Sequence, residues 1–330
     1  MLVLTKAVLA IMVGFLAAVV YGYFAIKRLK KKQMKQNVSK TLGDRHMQKQ
    51  GTPTIGGIIF IIPTVVIIIA FILMGKIDFS PNLFIVLFVF IAYAILGYID
   101  DYLIVRKNNN KGLSIFIKLA FQLVISLIFF YIFMSTGNEP IVDIHTLGIK
   151  IDLGWAYGLF LLLVLVSSSN AVNITDGLDG LAAGLAAIAF FAFGIISWGA
   201  GWAGGNEDMA ILCFVLVGSL IGFLVYNSYP AKVFMGDTGS LALGAALASV
   251  AIITNHEVTL IIVAGVFVIE TLSTIIQLIA IKKFNKRVFK MAPLHHHFEQ
   301  LGWAETDIVR MFWVVGLVLS MVAIGFGVWI

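Results

Sequence analysis

The sequence predicts an all-α integral membrane protein of about ten transmembrane helices, with both termini extracytoplasmic and a small external β-hairpin. Three observations carry this expectation. Hydrophobic residues make up 60% of the 330-residue chain and charged residues only 12%, about half the roughly 25% charged share of an ordinary soluble domain. The mean hydropathy is +1.01, and it comes from repeated apolar runs near the ~20 residues that cross a bilayer. The basic residues are also unevenly placed, which sets an orientation.

Ten spans are read, at roughly 3–26, 54–74, 81–99, 113–134, 154–171, 179–198, 208–225, 238–254, 257–281 and 307–329. The first is an uncleaved anchor, because its basic cluster follows the apolar run instead of preceding it. Pro63 interrupts the second, where a kink is tolerable if neighbouring groups satisfy the freed carbonyl. The loops after spans one, three, five, seven and nine hold 18 of the 23 Lys and Arg residues, against Lys6, Lys76 and Lys150 on the other side. Odd-numbered loops therefore face the cytoplasm. The longest external segment alternates Val142, Ile144, Ile149, Ile151 and Leu153 with polar residues around Leu147-Gly148, which reads as a hairpin capping the outer surface. Little chain remains for a soluble domain, so residues 1–330 form a single polytopic transmembrane domain. No internal repeat of the transporter kind is found.

The net charge of +6 reflects these loops, so nucleic acid is not an expected partner. The lone cysteine, Cys213, lies in an apolar span and excludes an intramolecular disulfide. No Walker loop or dinucleotide fingerprint is present, which removes the usual support for ATP hydrolysis or hydride transfer.

Four polar clusters interrupt the apolar background, and the topology places all four at the cytoplasmic side. Asp100-Asp101 ends the third span. Adjacent helical residues project about 100° apart, so one of the two faces a cavity and the other a neighbouring loop or helix end. Asn170, Asn173 and Asp176 recur every three residues and line one face if the helix continues that far. Gly177 and Gly180 then allow a sharp turn, and Asp179 can cap the sixth helix. Asn227 and the run Phe234-Met235-Gly236-Asp237-Thr238-Gly239 open the eighth span. A helix N-terminus favours phosphate, and a carboxylate beside it can hold Mg²⁺ against phosphate oxygens. Phe234 either packs or stacks on a base.

The fourth cluster is Pro293-Leu294-His295-His296-His297-Phe298-Glu299. Neighbouring histidines diverge and lack a spaced fourth ligand, so zinc suits them poorly. Donating to phosphate oxygens or orienting an acid suits them better. Before the second span, Lys49 can neutralise phosphate, and Gly56-Gly57 after Thr54 allow close helix packing. His145 and His256 fall on the external side and receive no role. Glu270 lies inside the ninth span, and the sequence names no partner for it.

These motifs, in this order, resemble the membrane sugar-1-phosphate transferases that act on polyprenyl phosphate. The Pro293–Glu299 stretch is similar to the phospho-N-acetylmuramoyl-pentapeptide-transferase family within them. The resemblance implies transfer from UDP-N-acetylmuramoyl-pentapeptide to undecaprenyl phosphate, giving lipid I and UMP for peptidoglycan synthesis. It also implies Mg²⁺, a bent ninth helix, a homodimer and a bacterial plasma-membrane location with the site on the cytoplasmic face. Position by position, it implies Asp237 as the metal ligand and Asp100 with Asp101 as a base or substrate-positioning pair. Asp176, Gly177, Asp179 and Phe234 resemble a nucleoside pocket. Lys49, Thr54, Asn170, Asn173, Asn227, His295, His296 and His297 match other cleft residues, with His295 placed among the catalytic candidates. The alternatives are an N-acetylglucosamine-1-phosphate transferase of the same superfamily and, in a different class, a secondary transporter.

Overall fold

The computed structural model describes residues 3–34, 49–107, 112–144, 147–200 and 206–328. His145 and several basic residues of the first loop lie outside the described residues. The chain runs α1 (Val3–Lys31), α2 (Ile58–Leu73), α3 (Pro81–Lys107), α4 (Ile115–Ser135), β1 (Ile141–Ile144), β2 (Ile149–Asp152) and a 3-10 turn (Gly154–Ala156). It continues through α5 (Tyr157–Thr175), α6 (Leu181–Ala200), α7 (Glu207–Asn227), α8 (Gly236–Ile253), α9 (Glu257–Val263), α10 (Gly265–Phe284), α11 (Leu294–Gln300) and α12 (Glu305–Val328).

Among the described residues, nine helices are long and apolar enough to cross a bilayer. The expected second span is shorter than the hydropathy suggests, since α2 holds only 16 residues. Its first residues are occupied differently. The Gly56 and Gly57 N–H groups donate to the carbonyls of Phe234 and Met235 at 2.8 and 2.9 Å, and the Phe234 N–H donates to Pro53 at 2.8 Å. Backbone spent on that ladder cannot also close helical turns. The expected ninth span is divided in two, because Ala264 both ends α9 and precedes α10. The expected hairpin is present, antiparallel, with Val142 opposite Ile151 and Ile144 opposite Ile149.

The centre of the bundle is α8, whose residues from Thr238 to Ile253 are all buried. It packs against α3 and α5, while α7 packs against α1 and α6. Its composition explains its position. Small residues let backbones approach closely where lipid gives no hydrophobic drive between helices. At Gly97 of α3, an added Cβ would lie 2.1 Å from the Asp237 carbonyl oxygen and 2.6 Å from the Thr238 nitrogen. At Gly57, it would lie 2.4 Å from the Gly239 Cα. Two glycines thus bring α3 and the start of α2 against the first turn of α8.

Those neighbouring atoms are backbone and cannot yield as a side chain would. The variant Gly97→Ala is expected to lose about 1–3 kcal/mol through overpacking, read as a lowered unfolding midpoint in detergent. At Gly325 an added Cβ meets nothing within 4 Å, so Gly325→Ala should leave that midpoint unchanged. Equal midpoints for the two variants would contradict the close approach.

Candidate active site

The first turn of α8 is the point on which the polar clusters converge. Asp101 of α3 accepts from the Asp237 N–H at 3.1 Å, the Thr238 N–H at 2.9 Å and the Thr238 hydroxyl at 2.6 Å. It thereby caps a helix from a different part of the chain, where free N–H groups and the helix dipole both favour a carboxylate. Gly236 permits this, with φ of +74° and an added Cβ that would fall 2.5 Å from Asp101 Oδ2 and 2.8 Å from the Thr54 hydroxyl. Thr54 is buried at that contact.

Asp237 points away from the cap. Its Oδ2 accepts from Lys118 Nζ and its Oδ1 from Asn173 Nδ2, each at 2.8 Å, and Asn173 also reaches Ser240 at 2.8 Å. The same Lys118 ammonium lies 2.8 Å from Asp100 Oδ2. The other Asp100 oxygen accepts from the Leu113 N–H at 2.5 Å. The two adjacent aspartates therefore divide as their angular separation demands. Asp101 faces a helix end, and Asp100 faces Lys118 and Asp237.

Asp176 follows α5 and accepts from the Gly236 N–H. Burial, with the charges of Asp237, Asp101 and Asp179 close by, pushes its carboxyl up to about 7. Asp179 does not cap the sixth helix as expected. Its carboxylate instead accepts from Lys49 Nζ at 2.7 Å and from the Ala231 N–H at 2.9 Å. Lys49 is also held by Glu305 of α12 at 2.6 Å, and the Glu305 carboxylate accepts the Asp179 N–H at 2.7 Å. Burial works against the Lys49 charge, but Glu305 and Asp179 outweigh it and raise its pKa. Asn227 ties the same turn from beneath, accepting the Gly180 N–H at 3.1 Å and donating to the Val233 carbonyl at 3.0 Å.

The histidines occupy three different settings. His295 is fully buried, and its ring Nδ1 and backbone N–H both meet Glu270 of α10, each at 3.1 Å. That pairing supplies the partner that the sequence did not reveal. His296 bonds Glu299 at 2.6 Å, and His297 accepts the Lys290 N–H at 3.1 Å, so these two are held by their own segment. Phe234 is half-buried, with its backbone paired to Pro53 and Gly56. Asn170 departs from its expected company. Its side chain is exposed and donates to Val166 of its own helix, while Asn173 and Asp176 turn toward α8. A spacing of three drifts around a helix of 3.6 residues per turn, so three such positions do not stay on one line.

Two residues that the sequence reading left without a role belong to this cluster, Lys118 and Glu305. Lys118 carried a usable signal. A lysine four residues into an apolar helix is costly in lipid and normally has a polar partner. Glu305 looked like an ordinary first-turn acid of α12, and nothing local distinguished it.

The site fits a divalent cation in one respect. Asp100 and Asp237 converge on a single positive group, and paired carboxylate oxygens suit Mg²⁺, which keeps waters and takes substrate phosphate as further ligands. Among the described residues no group of three or more His, Cys, Asp or Glu side chains is gathered to hold a metal. The protein would thus supply two oxygens and leave the remainder to phosphate and water.

Fold and site together define a class, a multi-pass membrane enzyme that gathers its acids and lysines at the ends of apolar helices. The family model for Glycosyl transferase family 4 matches residues 83–255. The chain is 46% identical over 325 residues to a phospho-N-acetylmuramoyl-pentapeptide-transferase of Geobacillus sp. (strain WCH70), with 98% of each chain covered. A protein of the same name from Geobacillus thermodenitrificans is 45% identical, again with 98% of each covered. One from Bacillus subtilis (strain 168) is 43% identical with 97% of each covered. The chain belongs to the phospho-N-acetylmuramoyl-pentapeptide-transferase family.

Removing the Asp101 carboxylate strands three donors at the head of α8. Asp101→Ala is expected to cost about 1–3 kcal/mol and to speed hydrogen exchange at the Asp237 and Thr238 amides. Asp101→Asn, which keeps one acceptor oxygen, should cost less. Unchanged exchange in the alanine variant would remove the capping role.

Proposed function

We propose that this protein transfers phospho-N-acetylmuramoyl-pentapeptide from UDP-N-acetylmuramoyl-pentapeptide to undecaprenyl phosphate, releasing UMP and leaving lipid I. The observation that carries this reading is the convergence of Asp100, Lys118 and Asp237 at the first turn of α8, beside the Asp176–Gly180 turn. Family membership supports the same reaction. The site lies on the cytoplasmic face of the bacterial plasma membrane and both termini lie outside, in a ten-span homodimer. The support for that orientation is the excess of basic residues in the odd-numbered loops.

Phosphoryl transfer asks a protein mainly for positioning and charge neutralisation. A phosphate oxygen of the lipid attacks the β-phosphorus of the nucleotide, and the bridging oxygen departs with UMP. Asp100 accepts the proton of the acceptor phosphate. The role falls to it and not to Asp101 because Asp101 faces the backbone of the α8 cap, whereas Asp100 faces Lys118 and Asp237. Lys118 and Lys49 supply fixed positive charge to the phosphates. Asp176, Gly177 and Asp179 form the nucleoside side of the cleft, with Phe234 stacking on the base. Thr54 and Asn227 keep that side in register, and Asn170, His296 and His297 border the cleft. Asp237, with Asp100, would hold Mg²⁺, which when bound neutralises phosphate charge. The acceptor's tail remains in lipid while its phosphate meets these groups at the headgroup level.

Purified protein given both substrates and Mg²⁺ should release UMP and form a lipid-linked product, and omission of any one should stop both. UMP release from UDP-N-acetylglucosamine instead would assign the sister reaction, and uptake into sealed vesicles without lipid product would assign transport. Asp237→Asn should lower the rate at least a hundredfold, and full Mg²⁺-dependent activity there would dismiss the metal assignment.

Direct attack predicts that labelled UMP does not exchange into the nucleotide donor when lipid is absent. Exchange under that condition would establish a covalent aspartyl intermediate in its place.

A further inference from the structure

Glu270 sits six residues into α10 and is fully buried. An ionised carboxylate in such a place is expensive unless a counter-charge and hydrogen bonds meet it. Among the described residues its one ionic partner is the ring of His295, at 3.1 Å from Nδ1 to Oε2. Its other oxygen accepts the His295 backbone N–H at 3.1 Å. Both oxygens thus meet the same residue, one through the backbone N–H and one through the ring Nδ1. A cation is the partner that best offsets a carboxylate so placed.

The far side of the ring is equally specific. His295 Nε2 is buried and has no hydrogen-bond partner, a condition that few buried polar atoms tolerate. Its neighbour is the turn after α5. A Cβ added to Gly177 would lie 2.3 Å from Nε2 and 2.9 Å from Cε1. Only a residue without a side chain lets the ring edge reach this turn, next to Asp176. The unpartnered Nε2 edge therefore meets the turn that the proposed reaction assigns to the nucleotide.

We propose that Glu270 is a positioning residue of the transfer reaction: from within α10 it holds His295 as an imidazolium whose Nε2–H donates to a phosphate oxygen of the departing UMP. The inference rests on the function proposed above. As the bond from the β-phosphorus to the bridging oxygen breaks, that oxygen's electron pair stays with UMP, and the UMP phosphate gains negative charge. A donor fixed beforehand at that phosphate is worth most at this moment and costs no reorganisation. Carboxylates behind metal-bound histidines commonly matter by about 10–100-fold in activity, and an effect of that size is expected for a carboxylate behind His295.

The test is steady-state UMP release by the full-length enzyme with both substrates and Mg²⁺, together with unfolding midpoints. Glu270→Gln keeps the side-chain shape but removes one partner of a buried pair, so its kinetics are read at a temperature below its own unfolding midpoint. Its kcat should fall about 10–100-fold, while KM for the nucleotide moves less than threefold. His295→Gln retains a donor near the Nε2 position and should keep more activity than His295→Asn, which retains only the one near Nδ1. Adding Glu270→Gln to His295→Asn should change the rate by less than twofold, since the carboxylate acts through the ring. A Glu270→Gln rate within twofold of the unsubstituted enzyme, multiplying effects in the double variant, or equal rates for the two His295 variants each overturns the proposal. Absence of lipid-linked product from the unsubstituted enzyme overturns the reading of the reaction itself, and this inference with it.

Discussion

The carboxylate of Asp101 on the first turn of α8 is the contact from which the rest of the site takes its geometry. Asp237 is the second residue of that helix, so wherever the helix begins, its side chain follows. A helix end without a cap frays, and its first N–H groups look for other acceptors. Here the acceptor comes from α3, brought within reach because Gly97 offers no Cβ to the Asp237 backbone. Cap, glycine and acid form one device. Shift any of them, and the spacing from Asp237 to Lys118 and Asn173 shifts as well.

A second layer fastens the loops to this frame. Lys49 joins Asp179 to Glu305, Asn227 joins Gly180 to Val233, and Phe234 joins Pro53 to Gly56. Apart from the bond between Asn227 and Val233 within one loop, each links segments separated by a membrane pass or more. The polar turn at 176–180 is therefore clamped on both sides by elements whose own positions are set by apolar packing in the bundle. Sites held this way keep their geometry better than sites on free loops, because the supporting residues are themselves immobilised.

Much of this was legible in the sequence, and the illegible parts share a cause. Hydropathy located the helices because a bilayer imposes both length and satisfied backbone. It overestimated α2 because pairing of Gly56 and Gly57 with Phe234 and Met235 is non-local and leaves no mark on hydropathy. The divergence of Asp100 and Asp101 followed from helix geometry, yet which of them met the helix end did not. Asp179 looked like a cap because its position before α6 is right. The competing attraction of Lys49, 130 residues earlier in the chain, was invisible. Lys118, Glu305 and the partner of Glu270 were missed for that reason too. A charge in or beside a span announces that it has a partner, but only the packing says which one.

On the function proposed above, charge balance gives the acid cluster a reason to recruit a cation. The acids of the cluster are Asp100, Asp101, Asp176, Asp179, Asp237 and Glu305, while among the described residues Lys49 and Lys118 are the basic side chains paired directly with them. Each lysine is already shared between two carboxylates. The upward displacement of Asp176 to about 7, driven by burial and then by Asp237, Asp101 and Asp179, records how crowded the negative charge is. Two phosphate-bearing substrates entering that field would meet these carboxylates with, among the described residues, two paired ammonium groups to offset them. On the function proposed above, Asp237 and Asp100 would hold a divalent ion, which would offset the negative charge of phosphate where the acids crowd it most. The acids therefore read as an ion-recruiting surface and the lysines as its fixed part. On the reading proposed above, the paired Glu270 and His295 add a donor whose charge is already balanced from behind, so it can face an anion without drawing on the lysines.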